Sequence, residues 1–471
     1  MSKGKKVLII FQFVASLFLL LTVFIKDYNN NFIFRDYYLK YYYLSFFLFF
    51  ASFLLIFLKK NSIKIYFINL CAIIFGLYLL EFYMFIKTKD VGVYNPNYLR
   101  QIKQNPKLVE EYNYDTTNAL NKYLELSKKM EIYLMPSKVL ISNNNKNIFI
   151  INSISNSKHM MCNENGYWPI VKTDKYGYIN SNDQWSDNYP SLLIIGDSNM
   201  LTACHFYKNG VAGKFKKKFE DLNLKINTLT LSHGNNGPLM KLANIIEYIK
   251  ETSSPKVLLW VYYDGNDAAD LQRELKNEIL INYLFEENFS QNLAPKQDFI
   301  DKELKSKFNE DGYVNKILNI NNYKLIDFVR LIKLRVALNK FQITGSIKNE
   351  FSPKNLDIFE KIIIKAKKIA NKQGSNFYFV YMPDNFWYSS IDEIDEIDDS
   401  RYEKIVNILK KNKINFIDFN KEIKIHPDPK SLLPFRTYGH FNEKGVEFFV
   451  NRTYENLLEF NEKLLLPSTS N

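Results

Sequence analysis

The chain has 471 residues, with 62 Lys and Arg against 50 Asp and Glu, for a net charge of +12. That length can hold more than one domain. The basic residues are scattered and no nucleic-acid motif accompanies them, which excludes a nucleic-acid binder; the charge reads as a compositional bias.

Three apolar runs open the chain: Val7 to Ile25, Tyr41 to Leu58 and Ile65 to Ile86. Each is about as long as a helix needs to cross the hydrocarbon core, roughly 20 residues. The first is too long for a cleaved signal peptide and no small-residue cleavage site follows it. The expectation is three transmembrane helices in a bilayer. Lys3, Lys5 and Lys6 before the first run, and Lys59, Lys60 and Lys64 between the second and third, place those ends in the cytoplasm. Everything after about Lys87 then lies outside the membrane, on the far side of what reads as a cytoplasmic membrane. Glu81, near the outer end of the third run, is expected to snorkel to the interface. Cys71 packs within the third span. Cys162 and Cys204 fall in the oxidising compartment, as one disulfide or as two buried thiols.

From Asp90 to about Asn165 the chain reads as a polar connector with one helix near Asp115, its expected N-cap, that docks on the domain to follow. From Ser191 onward, short apolar runs alternate with amphipathic stretches: SLLIIG, KINTLTLS, KVLLWVYY, NFYFVYMP and INFIDF are strand-like. Continuous apolar strands fit a parallel sheet buried on both faces, and the alternation predicts a three-layer α/β/α domain of the doubly wound, flavodoxin-like kind. A polar, helical insertion from about Glu274 to Ser352 interrupts it. Its stretch from Asn322 to Phe341 carries Leu325, Phe328, Leu331, Ile332 and Val336 on one side, which reads as a helix packed on the domain. The predicted organisation is an anchor at 1–87, a connector at 88–165, the α/β domain at 166–460 with its insertion at about 274–352, and a tail at 461–471.

In a doubly wound sheet, ligands sit beyond the carboxyl ends of the strands. Those ends carry Gly196-Asp197-Ser198, then SHGNNGP from Ser232, then Asp264-Gly265-Asn266-Asp267, then Gly439-His440. Four strand ends thus offer Ser, Gly, Asn and His in that order. A serine hydroxyl needs a base within hydrogen-bond reach, and His440 is the candidate base for Ser198. The backbone N–H of Ser198, an N–H near Gly234 or Gly237 (Gly234 preferred) and the amide of Asn266 are candidate oxyanion donors. Gly196 and Gly265 shape the turns, and Asp197 and Asp267 hold them. His159, His205, His233 and His426 read as structural. No His or Cys spacing suggests a zinc site, and no cofactor is expected.

This set resembles the SGNH/GDSL hydrolase superfamily, and within it the bacterial membrane-anchored SGNH-type proteins. The resemblance runs from about Cys162 to Phe460 and includes Thr173, Asp174, Tyr176 and Gly177 ahead of the Ser block, and Gly439, His440, Asn442 and Gly445 at the end. It implies an extracytoplasmic serine esterase or deacylase acting on an ester, such as a carbohydrate-linked one. Alternatives are O-acyl transfer onto an envelope polysaccharide glycan, with a membrane acyl-donor protein as partner, and a catalytically silent SGNH scaffold or binding module. Many members carry an Asp three residues before the His. Here Thr437 stands there, which leaves Asp428 as a candidate orienting acid, or a Ser-His dyad oriented by a carbonyl.

Overall fold

The computed structural model describes residues 3–29, 35–87, 106–136, 139–143, 146–201, 203–252, 255–318, 325–335, 349–385, 400–437 and 439–460. The chain divides into two compact units, one of residues 1–90 with 321–348, the other of residues 91–320 with 349–471.

In the first unit the three apolar runs form helices α1 (Lys3–Asn29), α2 (Arg35–Phe57) and α3 (Lys60–Lys87). Two are long and apolar enough to cross a membrane, over Lys5–Tyr28 and Asn61–Ile86. The apolar part of α2, Tyr41–Phe57, is shorter, because polar Arg35 and Asp36 occupy its first turn. A lysine at one helix end closes the α1–α2 pair: Lys5 Nζ donates to the carbonyls of Ile56 and Leu58, both at 2.7 Å. That satisfies acceptors left open at the C-terminus of α2. Gln12 Nε2 donates to Leu48 O at 3.1 Å, and Tyr66 Oη to Gln12 Oε1 at 2.8 Å.

The stretch Leu325–Arg335 differs from the expectation. It belongs to this unit and packs on α3, not on the α/β domain. Tyr78 Oη donates to Val329 O at 3.1 Å and its ring lies 5.2 Å from that of Phe328. Glu81 does not snorkel to solvent; it is fully buried and accepts from the backbone N–H of Lys333 (2.9 Å) and Leu334 (2.6 Å). These N–H groups open a helical turn at 332–335, whose first donors have no intrahelical partner, so a carboxylate there is well matched. Val336, part of the same expected face, lies outside the described residues.

In the second unit, β6 (Ser191–Gly196), β7 (Asn227–Ser232), β8 (Pro255–Tyr263), β9 (Asn376–Met382) and β10 (Asn415–Asp418) make one parallel sheet in the order β7-β6-β8-β9-β10. This is the doubly wound order, with its switch point between β6 and β8. Alternation along each strand divides the core. Leu193, Ile195, Leu258, Trp260, Phe377 and Phe379 face α7 (Pro238–Tyr248), α13 (Pro353–Lys372) and α14 (Ser400–Lys411). Leu192, Ile194, Val257, Leu259, Tyr378 and Val380 face α6 (Val211–Asp221) and α16 (Glu443–Phe460). With both faces covered, the strands must be apolar at every position, which is why they read as continuous runs.

The stretch read as a connector has a small core of its own. Helices α4 (Pro106–Glu111) and α5 (Ala119–Ser127), a three-stranded sheet of β1 (Tyr133–Leu134), β4 (Lys158–Met160) and β5 (Ile170–Lys172), and the hairpin β2–β3 (Val139–Asn143, Lys146–Ile150) belong to it. Tyr123, Leu126, Leu134, Met160 and Trp168 pack there against Tyr313 and Ile317 of α11 (Tyr313–Ile317) in the insertion. The N-cap of α5 is Asn118, accepting from Asn121 N at 2.9 Å, where Asp115 was expected. Gln291 fastens the hairpin by bonding both Phe149 N (2.8 Å) and Phe149 O (3.0 Å).

The Thr173–Gly177 motif is structural. Buried Asp174 accepts from Tyr176 N, Tyr178 N, Asn180 Nδ2 and Trp185 Nε1, all at 2.8–2.9 Å. Burial still pushes its carboxyl up to about 6. Gly177 has φ +77°, and a Cβ there would lie 1.9 Å from Ser153 O, so only glycine fits.

Replacing Glu81 by Leu removes the acceptor for two helix-opening N–H groups, each about 1–3 kcal/mol to leave unmade when buried. In a Cys71→Ser background, a cysteine pair at Tyr78 and Phe328 is expected to cross-link efficiently with a short bismaleimide. Glu81→Leu should lower the cross-linking yield severalfold.

Candidate active site

Ser198 sits on a sharp turn at the carboxyl end of β6. A Cβ on Gly196 would lie 2.3 Å from Met200 Cγ, so the turn closes only with glycine there. Asp197 holds it: its carboxylate accepts from Asn199 N at 2.9 Å, and its carbonyl accepts from Met200 N and Leu201 N. The serine is presented at the switch point of the sheet, where a crevice opens.

His440 enters from the loop ahead of α16. Its Nε2 lies 2.9 Å from Ser198 Oγ. On the other side of the ring, Glu164 Oε2 lies 3.0 Å from Nδ1 and accepts the backbone N–H of His440 at 2.8 Å. An ionised carboxylate accepts only, so Nδ1 carries the proton and Nε2 is left as the acceptor for the serine hydroxyl. Burial works against a charge on His440, but the charge and hydrogen bond of Glu164, with the charge of Asp197, outweigh it and raise its pKa above the ordinary value. The arrangement is a serine hydroxyl, an imidazole and a carboxylate in line, the geometry that a nucleophile, a base and an orienting acid require.

The carboxylate that meets the His440 ring is Glu164, not the expected Asp428. Asp428 is exposed and paired in two hydrogen bonds with Arg436, at 2.6 and 2.9 Å. Thr437 donates to Pro434 O at 2.9 Å and shapes the same loop. Glu164 lies 276 residues from His440, so no local motif announces it. Its one signal was the cysteine two residues before it.

That cysteine is bonded. Cys162 and Cys204 form a disulfide, with Cα atoms 4.6 Å apart. It ties the Glu164 segment to the turn after Ser198, and closing that loop stabilises by about 4 kcal/mol on the chain-entropy account. The next residue ties the base: buried His205 donates from Nε2 to Phe441 O at 2.7 Å. Asn442 steadies the same loop by donating to Ser431 O and Leu433 O at 2.8 and 2.9 Å. Cys162, Glu164 and Cys204 cluster like metal ligands, but the sulfurs are bonded to each other and the carboxylate serves His440, so they offer no ligand set.

Gly234 lines the cavity over Ser198, and an added Cβ there would meet nothing within 4 Å. The N–H of Gly237 is engaged by Glu274 Oε1 at 2.8 Å, which leaves Gly234 as the glycine able to face an oxyanion. Asn266 is half-buried at the N-cap of α8 (Asp267–Glu274) and is not among the residues lining the cavity. Asp267, next to it, forms a fully buried ion pair with Lys241, whose Nζ also donates to Val261 O at 2.8 Å. Gly265 has no room for a Cβ beside the Tyr263 ring. Among the other histidines, His159 is buried, with Nε2 2.8 Å from Ser157 Oγ, and burial pulls its pKa down to about 4. His426 Nδ1 accepts from Asp428 N at 3.0 Å. His233 lines the cavity.

The cavity measures about 890 Å³. Beside Ser198, His440 and Glu164, it is lined by apolar residues from the 106–172 segment and by Asp270, Arg273, Glu274 and Asn277 from α8 and the residues after it.

No protein-family model matches the chain. No curated protein matches it either. Among solved structures it is similar to a psychrotrophic esterase from Pseudoalteromonas sp., at 10% identity over 58% of this chain and 98% of that one, with a TM-score of 0.32. A lipase/acylhydrolase from Enterococcus faecalis matches at 9% identity over 57% and 96% of the two chains, TM-score 0.32. A putative acylhydrolase from Bacteroides fragilis matches at 11% identity over 60% and 94%, TM-score 0.31.

On a small activated ester, Glu164→Gln is expected to lower kcat by on the order of 10²-fold or more. Because the carboxylate raises the pKa of His440 and the base must be neutral to act, wild-type kcat/KM should rise with pH through a value above 6.5. In Glu164→Gln that limb should move to lower pH. Asp428→Asn should leave both the rate and the limb in place. A pH–rate profile of the three proteins on a small activated ester checks this.

Proposed function

We propose that this chain is a serine ester hydrolase of the SGNH type. The observation that carries the reading is the line Ser198 Oγ–His440 Nε2, His440 Nδ1–Glu164 at 2.9 and 3.0 Å. Ser198 attacks the ester carbonyl while its proton passes to Nε2 of His440. The imidazolium is stabilised by Glu164. The oxyanion is taken by the Ser198 N–H and by the backbone at Gly234. The tetrahedral intermediate collapses, the C–O bond to the alcohol breaks, and His440 returns the proton to the leaving oxygen. Water, activated by the same imidazole, then releases the acid and restores Ser198. A silent scaffold would have no use for a base and an acid so aligned.

The finer reading is a membrane-anchored enzyme with its catalytic domain outside the cytoplasm, cleaving a carbohydrate-linked ester. The apolar helices at the N-terminus and a disulfide that needs an oxidising compartment support it. A cavity roomy enough for a sugar beside the acyl-enzyme would also admit a glycan hydroxyl in place of water, giving O-acyl transfer.

The full-length protein is expected to be labelled by a fluorophosphonate probe, and Ser198→Ala to lose that labelling. Labelling equal in the two proteins would rule out Ser198 as the nucleophile. Adding a sugar acceptor to an acyl-ester reaction separates the acceptors: unchanged products mean hydrolysis, and a new acyl-sugar means transfer.

A further inference from the structure

The cavity over Ser198 has two chemistries. Met135, Met161 and Leu201 belong to one buried apolar cluster. Phe149 and Leu280, from the hairpin and from α9 (Glu278–Phe285), belong to the apolar layer under it, and Ile317 to the small core of the 106–172 segment. All six line the cavity. They are held in place from outside the sheet, through Gln291 on Phe149 and through the Cys162–Cys204 disulfide next to Met161. The same cavity also carries ionic and amide-bearing residues: Asn235, Asp270, Arg273, Asn277 and Lys316.

The volume, about 890 Å³, lies near the top of the roughly 300–1,000 Å³ range that encloses drug-sized ligands, far beyond what an acetyl group fills. A dry apolar wall left empty by a small substrate would gain nothing for the transition state. Filled by methylenes, it gains on the order of fourfold in binding per buried methylene. Two methionines on that wall suit a flexible chain, since the thioether side chain repacks around irregular partners.

We infer that the substrate joins a medium-length acyl chain, held along Met135, Met161 and Leu201, to a polar, hydroxyl-bearing alcohol that faces Asp270, Arg273 and Asn277. This deepens the serine-hydrolase reading and rests on it. The enzyme is an acyl esterase for chains well beyond acetyl, and the segment before the sheet, with the insertion, sets that preference.

The test uses the full chain in amphipol and two alkylphosphonofluoridates, methyl and octyl. Ser198 Oγ displaces fluoride from phosphorus, its proton leaving through His440. Rates of Ser198 labelling are corrected for each probe's intrinsic hydrolysis. The octyl probe is expected to react at least tenfold faster than the methyl probe. Met161→Trp, which fills the apolar side, should cut that octyl-to-methyl ratio at least fivefold, and Leu280→Trp serves as a second filling variant should the first not fold. An octyl rate equal to or below the methyl rate overturns the inference while leaving the hydrolase reading intact. A high ratio unmoved by whichever filling variants fold places the chain elsewhere and overturns it too. Labelling by neither probe overturns the hydrolase reading itself, and the inference with it.

Discussion

The site depends on holding a carboxylate against the far nitrogen of His440. In the proposed reaction, an imidazole without Glu164 at Nδ1 would be free to choose the wrong tautomer and would have nothing to stabilise its charge on taking the serine proton. The acid and the base come from segments at opposite ends of the α/β unit, and loops alone would not keep two such groups within 3.0 Å. Two consecutive residues after the nucleophile do so. Cys204 is bonded to the acid's segment and His205 holds the base's. The turn that presents Ser198 is thus also the clamp for its partners.

The sheet supplies what that clamp rests on. Its strands are buried on both faces, so each must be apolar throughout, and polar groups are displaced to the strand ends. The order of the strands reverses between β6 and β8, which opens the crevice where those ends meet. Three charged groups buried nearby are paired or hydrogen-bonded: Lys241 with Asp267 behind the Asn266 turn, and Asp174 with four N–H donors ahead of the sheet. A buried charge left alone would cost several kcal/mol, so these pairs hold the turns in one conformation.

The helical unit solves a related problem with fewer parts. Apolar helices have few polar groups to spend on specificity, and those present close helix ends. Lys5 caps carbonyls at the end of α2, and Glu81 caps the turn at 332–335. The chain leaves the α/β unit after residue 320, adds this stretch to the helices, and re-enters at 349. An apolar face on a helix demands burial but does not say against which surface. That is why Leu325 to Arg335, read as packing on the domain, belongs instead with α3.

What could be read without coordinates follows from local constraints. Apolar runs of a given length, strand–helix alternation and turn residues at strand ends all repeat within a few positions, so the α/β class, the parallel sheet, and Ser198 and His440 as candidates that come within 2.9 Å of each other were legible. The acid was not, because nothing local requires it: the motif position held Thr437, and Asp428, the nearest carboxylate offered, is drawn to Arg436. Glu164 becomes an orienting acid only when the disulfide brings a segment from before the sheet to the turn after β6. The same holds for the cavity wall, whose Met135, Met161 and Leu280 are ordinary apolar residues until the fold sets them around one serine. Sequence determined which residues have reactive chemistry. Tertiary structure decided which of them meet, because that depends on chain closure across hundreds of residues.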